Sequence, residues 1–501
     1  MKKILTLLFA AMLTMPTMAA KHLIPMPRLV VGLVIDQMRW DYLYYYYDEY
    51  RVDGLRKLLE QGYSFENTML NYVPMVTAAG HASIYTGTVP ALHGIASNNF
   101  LENGRMVYCC DDSTVQSVGS TSKEGLMSPR KLLASGLGDQ MKIASDYRSK
   151  VIGIALKDRS AILPAGHGAD GAYWWDTSAG KFVTSTYYMD KLPVWAERIN
   201  NRIKVKPGTD VKTSVEGVTK TFQMAEAAID GENLGKDETT DLLAISVSST
   251  DAIGHTFGTR GKENYDTYME VDRQVANLID KLDGSVGRGN YLLFLTADHG
   301  AAHNPNEMKS HRIPAGGLNV GSWLKDLNAT VAARLGVSGK VIMAENAGQL
   351  YLDHELIAQS GKTLDEAKQV VIEEMQKRPD ILFVVDRSRA LTTSIPEILR
   401  ERIVNGYNVK RSGDLFYIPR AGWENVSDAP DYKGTTHGEW NPYDAHVPFV
   451  LFGWDVEHGE SVEPTNITDI VPTVCAMLHI QVPNSCIGQP KNVKYVQPKS
   501  R

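Results

Sequence analysis

Three short apolar runs in this chain lead into acidic residues, and that arrangement constrains the fold more than any other feature. Leu29–Ile35 ends at Asp36, the run 242–247 passes through Ser248, Ser249 and Thr250 to Asp251, and Tyr291–Thr296 passes through Ala297 to Asp298 and His299. Runs at 151–156 and 447–452 share the same length and Val/Ile/Leu content. Such short, evenly apolar stretches are strands buried on both faces. Helical patterns lie between them, notably at 52–61, 131–144 and 263–282. Strands alternating with helices predict an α/β fold, a mainly parallel central sheet flanked by helices. The intervals 160–235 and 305–430 break the alternation and read as inserted cap segments on a single domain spanning 21–498.

The first twenty residues join Lys2 and Lys3 to an apolar run and then to small residues ending at Ala19 and Ala20. This is the layout of a signal peptide, so residues 1–20 are expected to be removed and the product to be periplasmic or secreted. No later stretch approaches the ~18 uninterrupted apolar residues of a membrane span. The whole chain carries a net charge of −6, and losing two leader lysines makes the mature form more acidic. That balance excludes a general nucleic-acid binder, which needs a cationic surface. Four cysteines are too few to frame a fold of this size. A bridge between Cys475 and Cys486 is compatible with export, whereas the adjacent Cys109 and Cys110 read as structural or unpaired.

In open α/β sheets the rim beyond the C-terminal strand ends is where ligands bind. A lone Asp there is most often a helix N-cap, but capping does not account for the histidines. Asp251 and His255 are four apart and can face one point from a helical turn. Asp298 and His299 are adjacent, and in an extended strand end their side chains would diverge toward two neighbouring ions. His437 lies in a loop shortly before the last apolar run. Three imidazoles with three carboxylates and no thiolate suit catalytic zinc. His81, His93, His303 and His446 are assigned structural roles.

Thr77 precedes Ala78, Ala79 and Gly80, small residues that suit the first turn of a tightly packed helix, where free N–H groups favour an anion. Thr77 could equally be a plain N-cap. Asn98 could donate to a phosphoryl oxygen or shape a turn. Lys157 and Arg159 follow a strand, and alternate residues of an extended segment face one side. They could clamp phosphoryl oxygens or be two solvated charges. Aromatic residues Tyr173, Trp174 and Trp175 offer either a stacking surface or buried cap packing, and burial is the expected state.

In chain order, Asp36, Thr77, Asp251, His255, Asp298, His299 and His437 resemble the metal and nucleophile set of the alkaline phosphatase superfamily. The similarity is greatest to the threonine-nucleophile, phosphate-irrepressible bacterial alkaline phosphatases. It runs through the segments 77–83, 156–159, 251–255, 296–300 and 437–448. The resemblance implies an alkaline-phosphatase-like fold with two Zn2+ per chain. It places Asp251, His255 and His437 on one ion, and Asp36, Asp298, His299 and the Thr77 oxygen on the other. Asn98, Lys157 and Arg159 would bind the phosphoryl oxygens. The implied activity is an exported zinc-dependent hydrolysis of small-molecule phosphate monoesters, broad in specificity, through a phosphothreonine intermediate. A phosphodiesterase or nucleotide pyrophosphatase on the same scaffold is the alternative, followed by a non-catalytic zinc-binding exported protein.

Overall fold

A computed structural model describes residues 26–493; the expected leader lies outside the described residues. The main sheet has ten strands: β1 Leu29–Ile35, β2 Tyr63–Phe65, β3 Ser117–Val118, β4 Val151–Ala155, β5 Gly171–Asp176, β6 Lys181–Ser185, β7 Asp241–Val247, β8 Tyr291–Thr296, β9 Phe449–Gly453 and β10 Gly459–Ser461. Their order is β10-β2-β9-β8-β1-β7-β4-β5-β6-β3. The five central strands β8, β1, β7, β4 and β5 are mutually parallel. Antiparallel pairs, β8 with β9 and β5 with β6, flank them, so the sheet is mixed with a parallel centre.

Burial explains why these runs are strands. All seven residues of β1 and all seven of β7 are buried, which is the state expected of parallel strands covered on both faces. Register then builds the rim. Ile35 pairs with Val247, and Val34 pairs with Thr296, so the three strands end nearly level. Asp36, Asp251 and Asp298 therefore emerge side by side. Because β9 is antiparallel, its first residue Phe449 pairs with Thr296, the last of β8, and the His437 segment preceding it reaches the same rim.

Five helices matter for the site: α1 Thr77–Thr86, α2 Asp158–Ala165, α3 Val215–Gly231, α4 Ser249–Phe257 and α5 Lys262–Leu282. The helix expected over 52–61 begins at Leu55, and that over 131–144 begins at Leu137.

The interval 160–235 departs from its reading as a cap. It delivers β5 and β6 into the main sheet, and α3 packs against α5 on the sheet's face. All six residues of β5 are buried, Tyr173, Trp174 and Trp175 among them, which removes the stacking-surface option. The interval 305–430 differs. It forms a separate antiparallel sheet ordered Ile342–Asn346, Gln349–Leu352, Leu415–Pro419, Ile381–Asp386. Val331, Leu350, Val371 and Met375 belong to a core of its own. The Asn346 side-chain amide donates to Ser97 Oγ at 3.0 Å and Asn99 O at 2.5 Å, tying this sheet to the loop that carries Asn98. The four cysteines are free thiols, so the Cys475–Cys486 bridge is not formed.

Candidate active site and metal centre

The nucleophile candidate opens α1. Val76 is extended and is the capping residue, so Thr77 is the first helical residue rather than the N-cap. It is 1% exposed, and all ten residues of α1 are buried. The free amide of Ala78 donates to Asn98 Oδ1 at 2.9 Å. That bond fixes the flip of the Asn98 side chain, leaving its NH2 as a donor beside the helix start.

Lys157 and Arg159 do not share an extended segment. Lys157 is the N-cap of α2 and Arg159 lies in its first turn, so the side chains take separate partners. Lys157 Nζ donates to Asp36 Oδ2 at 2.6 Å and Asp251 Oδ2 at 2.5 Å, and stands 3.5 Å from Thr77 Oγ1. Burial works against its charge, but Asp251 and Asp36 offset it and hold the ammonium above the usual lysine value. Arg159 Nη1 donates to Tyr108 Oη at 3.1 Å, and that hydroxyl donates to Asp158 Oδ1 at 2.5 Å.

Two groups of potential ligand atoms converge: Asp251, His255 and His437, and Asp36, Asp251 and His299, with the atoms of each group within 4.8 Å of one another. The i, i+4 pair lies on α4, with His255 Nε2 3.1 Å from Asp251 Oδ1. His437 Nε2 is 3.5 Å from the same oxygen. His299 and His437 stack, ring centroids 3.5 Å apart. The expected divergence of Asp298 and His299 is not what the structure has. The strand ends at Thr296, and in the turn beyond it His299 Nε2 lies 3.4 Å from Asp298 Oδ2 and 3.6 Å from Asp36 Oδ1. Strand alternation does not govern residues outside the strand.

Whether these residues fit a metal pair can be tested on their hydrogen bonds. His255 Nδ1 donates to Thr435 O at 2.9 Å, His299 Nδ1 to Gly300 O at 3.0 Å, and His437 Nδ1 to Met75 O at 2.8 Å. A carbonyl accepts only from a protonated nitrogen, so each ring keeps its Nε2 lone pair for a cation, as ligating histidines do. Asp36 Oδ1, Asp298 Oδ2 and His299 Nε2 are buried without hydrogen-bond partners, which native interiors rarely tolerate without an ion or water. Burial, then the nearby Asp298 charge, raises Asp36 well above the carboxylate range. Burial also pushes His437 well below the usual histidine value, with His299 adding to the effect. Divalent metal would relieve both strains, so the donor set fits a metal centre.

Three residues hold this set together: His81, in the structural role its sequence context assigns it, and Asp444 and Gln37, to which the sequence assigns no role. His81, one turn after Thr77, is fully buried; its Nδ1 donates to Thr77 O at 2.9 Å, Ser246 Oγ meets Nε2 at 2.8 Å, and Asp298 Oδ2 is 3.2 Å from Nδ1. Asp444 Oδ2 accepts from the amides of Gly438 and Glu439 at 3.1 and 2.7 Å, while its carbonyl accepts from Gly300 at 2.7 Å. It thus clamps the residues following both His437 and His299. Gln37 bonds toward both Asp251 and Asp298. A lone Gln, or an Asp in a run of ordinary residues, carries no spacing signal. His93 and His446 are structural as expected, the latter stacked on Trp40 at 4.5 Å.

The family model described as type I phosphodiesterase / nucleotide pyrophosphatase matches residues 30–443. The alkaline phosphatase PafA of Elizabethkingia meningoseptica is 42% identical over 93% of this chain and 94% of its own. Its wild-type crystal structure matches with a TM-score of 0.89, covering 93% of this chain and 99% of that one. A Myroides odoratus protein named calcium-transporting ATPase is 43% identical over 93% of this chain and 94% of its own. The alkaline phosphatase PhoV of Synechococcus elongatus is 40% identical over 92% of each. With the rim, the paired ligand groups and the buried hydroxyl in place, this chain belongs to the type I phosphodiesterase / nucleotide pyrophosphatase family and is a homologue of the alkaline phosphatases PafA and PhoV.

Proposed function

We propose that this protein is an exported, zinc-dependent alkaline phosphatase that hydrolyses phosphate monoesters through a phosphothreonine at Thr77. The observation that carries the reading is the placement of one buried hydroxyl, Thr77 Oγ1, at a helix start with the Lys157 ammonium 3.5 Å away. Two divalent cations, zinc by the chemistry of the donors, would be held by Asp251, His255 and His437, and by Asp36, Asp298, His299 and Thr77. When bound they would lower the pKa of the attacking hydroxyl and of water and stabilise the leaving oxygen.

The chain's own residues supply the rest. Thr77 Oγ1 attacks phosphorus and loses its proton; the alcohol leaves, and water then cleaves the phosphothreonine to release phosphate. The NH2 of Asn98 and the cations Lys157 and Arg159 stabilise charge on the phosphoryl oxygens. Tyr108 steadies the Arg159 guanidinium through its hydroxyl. Export rests on the sequence of residues 1–20, and the sheet within 305–430 serves as a cap that braces the Asn98 loop.

A diester is the second reading, favoured by the description of the matched family. Lys157 and Arg159 argue against it, since a monoester carries more charge on its free oxygens for two cations to meet. The name of the Myroides relative suggests a phosphoric anhydride; among the described residues no helix is long and apolar enough to cross a membrane. The test is kcat/KM of zinc-loaded enzyme on an aryl phosphate monoester, its diaryl diester and a nucleoside triphosphate. Preference for the monoester is expected; equal or better diester turnover would overturn the assignment.

A further inference from the structure

Gln37 bonds to two carboxylates at the candidate metal centre, those of Asp251 and Asp298. It directly follows Asp36, is 4% exposed, and bonds in two directions. Its backbone N–H donates to Asp298 Oδ1 at 3.2 Å, and its side-chain Nε2 donates to Asp251 Oδ1 at 2.6 Å. Its backbone is left-handed, with φ of 64°, a conformation that suits glycine and disfavours a residue with a long side chain. Such strain persists only where the surroundings impose it, and it clusters at functional sites.

The carboxamide has a prepared seat. A Cβ on Gly254, in the turn of α4 between Asp251 and His255, would lie 1.9 Å from Gln37 Oε1. The absence of a side chain at 254 is what lets the amide lie against α4 and reach Asp251. Asp251 accordingly has its two oxygens directed by different donors, Gln37 on Oδ1 and Lys157 on Oδ2.

We infer that Gln37 is a positioning residue for the dimetal centre, its two N–H donors setting the orientation of Asp251 and Asp298, one carboxylate from each of the two proposed ligand sets. This rests on the metal reading given above. A donor fixed on a ligating carboxylate decides which lone pairs remain for the cation, and loss of such support typically costs about 10- to 100-fold in metal affinity or activity. A residue serving only the fold would give a different pattern, because a left-handed position is relieved by glycine.

Gln37→Gly keeps the backbone conformation and the bond to Asp298 while deleting the carboxamide. Gln37→Asn, whose side chain also tolerates the left-handed region, is too short to reach Asp251 and gives a second variant should the first fold poorly. For wild type and both variants, zinc retention is measured by competition against a chelator, kcat and KM on an aryl phosphate, and thermal unfolding of the zinc-free proteins. Zinc retention and kcat should fall by about 10- to 100-fold with little change in KM, and the zinc-free Gln37→Gly protein should melt no lower than wild type. Variants that hold zinc as wild type does, or that lose only zinc-free stability, overturn the assignment of Gln37. A wild-type protein that takes up no zinc overturns the metal reading itself, and the assignment with it.

Discussion

Gly80 sets how closely the Thr77 helix approaches Asp298, and Gly80→Ala tests that contact. A Cβ built on Gly80 would stand 2.4 Å from Asp298 O and 2.6 Å from Asp298 Cβ, whereas ordinary contact begins at 3.4 Å. Both atoms belong to Asp298 rather than to a flexible side-chain end, so α1 and the turn after β8 must part by about 1 Å. Overpacking of this kind costs roughly 1–3 kcal/mol, and alanine's better helix propensity returns up to about 1 kcal/mol. The variant should therefore stay folded with a modest loss of stability. Catalysis should suffer more, since a displacement of about 1 Å between reacting groups can cost about 100-fold. Circular dichroism and a melting curve check the fold, and kcat on an aryl phosphate reads the displacement. Wild-type kcat in a folded Gly80→Ala protein would refute the claim that this contact places Thr77.

Replacing Lys157 and Arg159 together by alanine should lower monoester kcat/KM by roughly 100-fold or more and diester kcat/KM far less; equal losses would contradict the charge argument. Asp444→Ala leaves the buried amide of Gly438 and the part-buried amide of Glu439 without an acceptor, at about 1–3 kcal/mol for the buried one, so melting should fall clearly, while Asp444→Asn, which keeps an acceptor oxygen, should recover much of it. Burial pushes His93 down to about 3, with Ser83 Oγ 3.0 Å from its Nε2 and the Ile95 amide donating to its Nδ1 at 3.1 Å. The unfolded chain therefore takes up a proton near pH 6.5 that the folded chain refuses, so this site's stability is intact above about pH 6.5 and declines as pH falls toward about 3. A His93→Asn variant should show a shallower dependence of melting temperature on pH across that window, and an unchanged slope would exclude His93 as a source.

The rim was legible because burial and register act on contiguous residues. β1, β7 and β8 are uniformly buried, so their apolar runs stand out, and the polar residues that follow must gather at one edge. The i, i+4 spacing of Asp251 and His255 was legible for the same local reason. The place of 160–235 was not: whether β5 joins the main sheet or a separate layer depends on pairing with β4, a contact between segments that periodicity does not encode. Lys157 and Arg159 were read as extended when the chain already turns into α2 at Asp158. Gln37 bonds to Asp251 and Asp298, both more than 200 residues away, and Asp444 joins the His437 loop to Gly300; pairings of that kind leave no trace in residue type.

Acid quenching of zinc-loaded enzyme during monoester turnover, followed by peptide mass spectrometry, tests the central claim most directly. A phosphoryl group on Thr77 in the wild type, absent from Thr77→Ala along with turnover, is the expected result. Turnover near the wild-type rate in Thr77→Ala, or a phosphoryl group trapped on another residue, would contradict it.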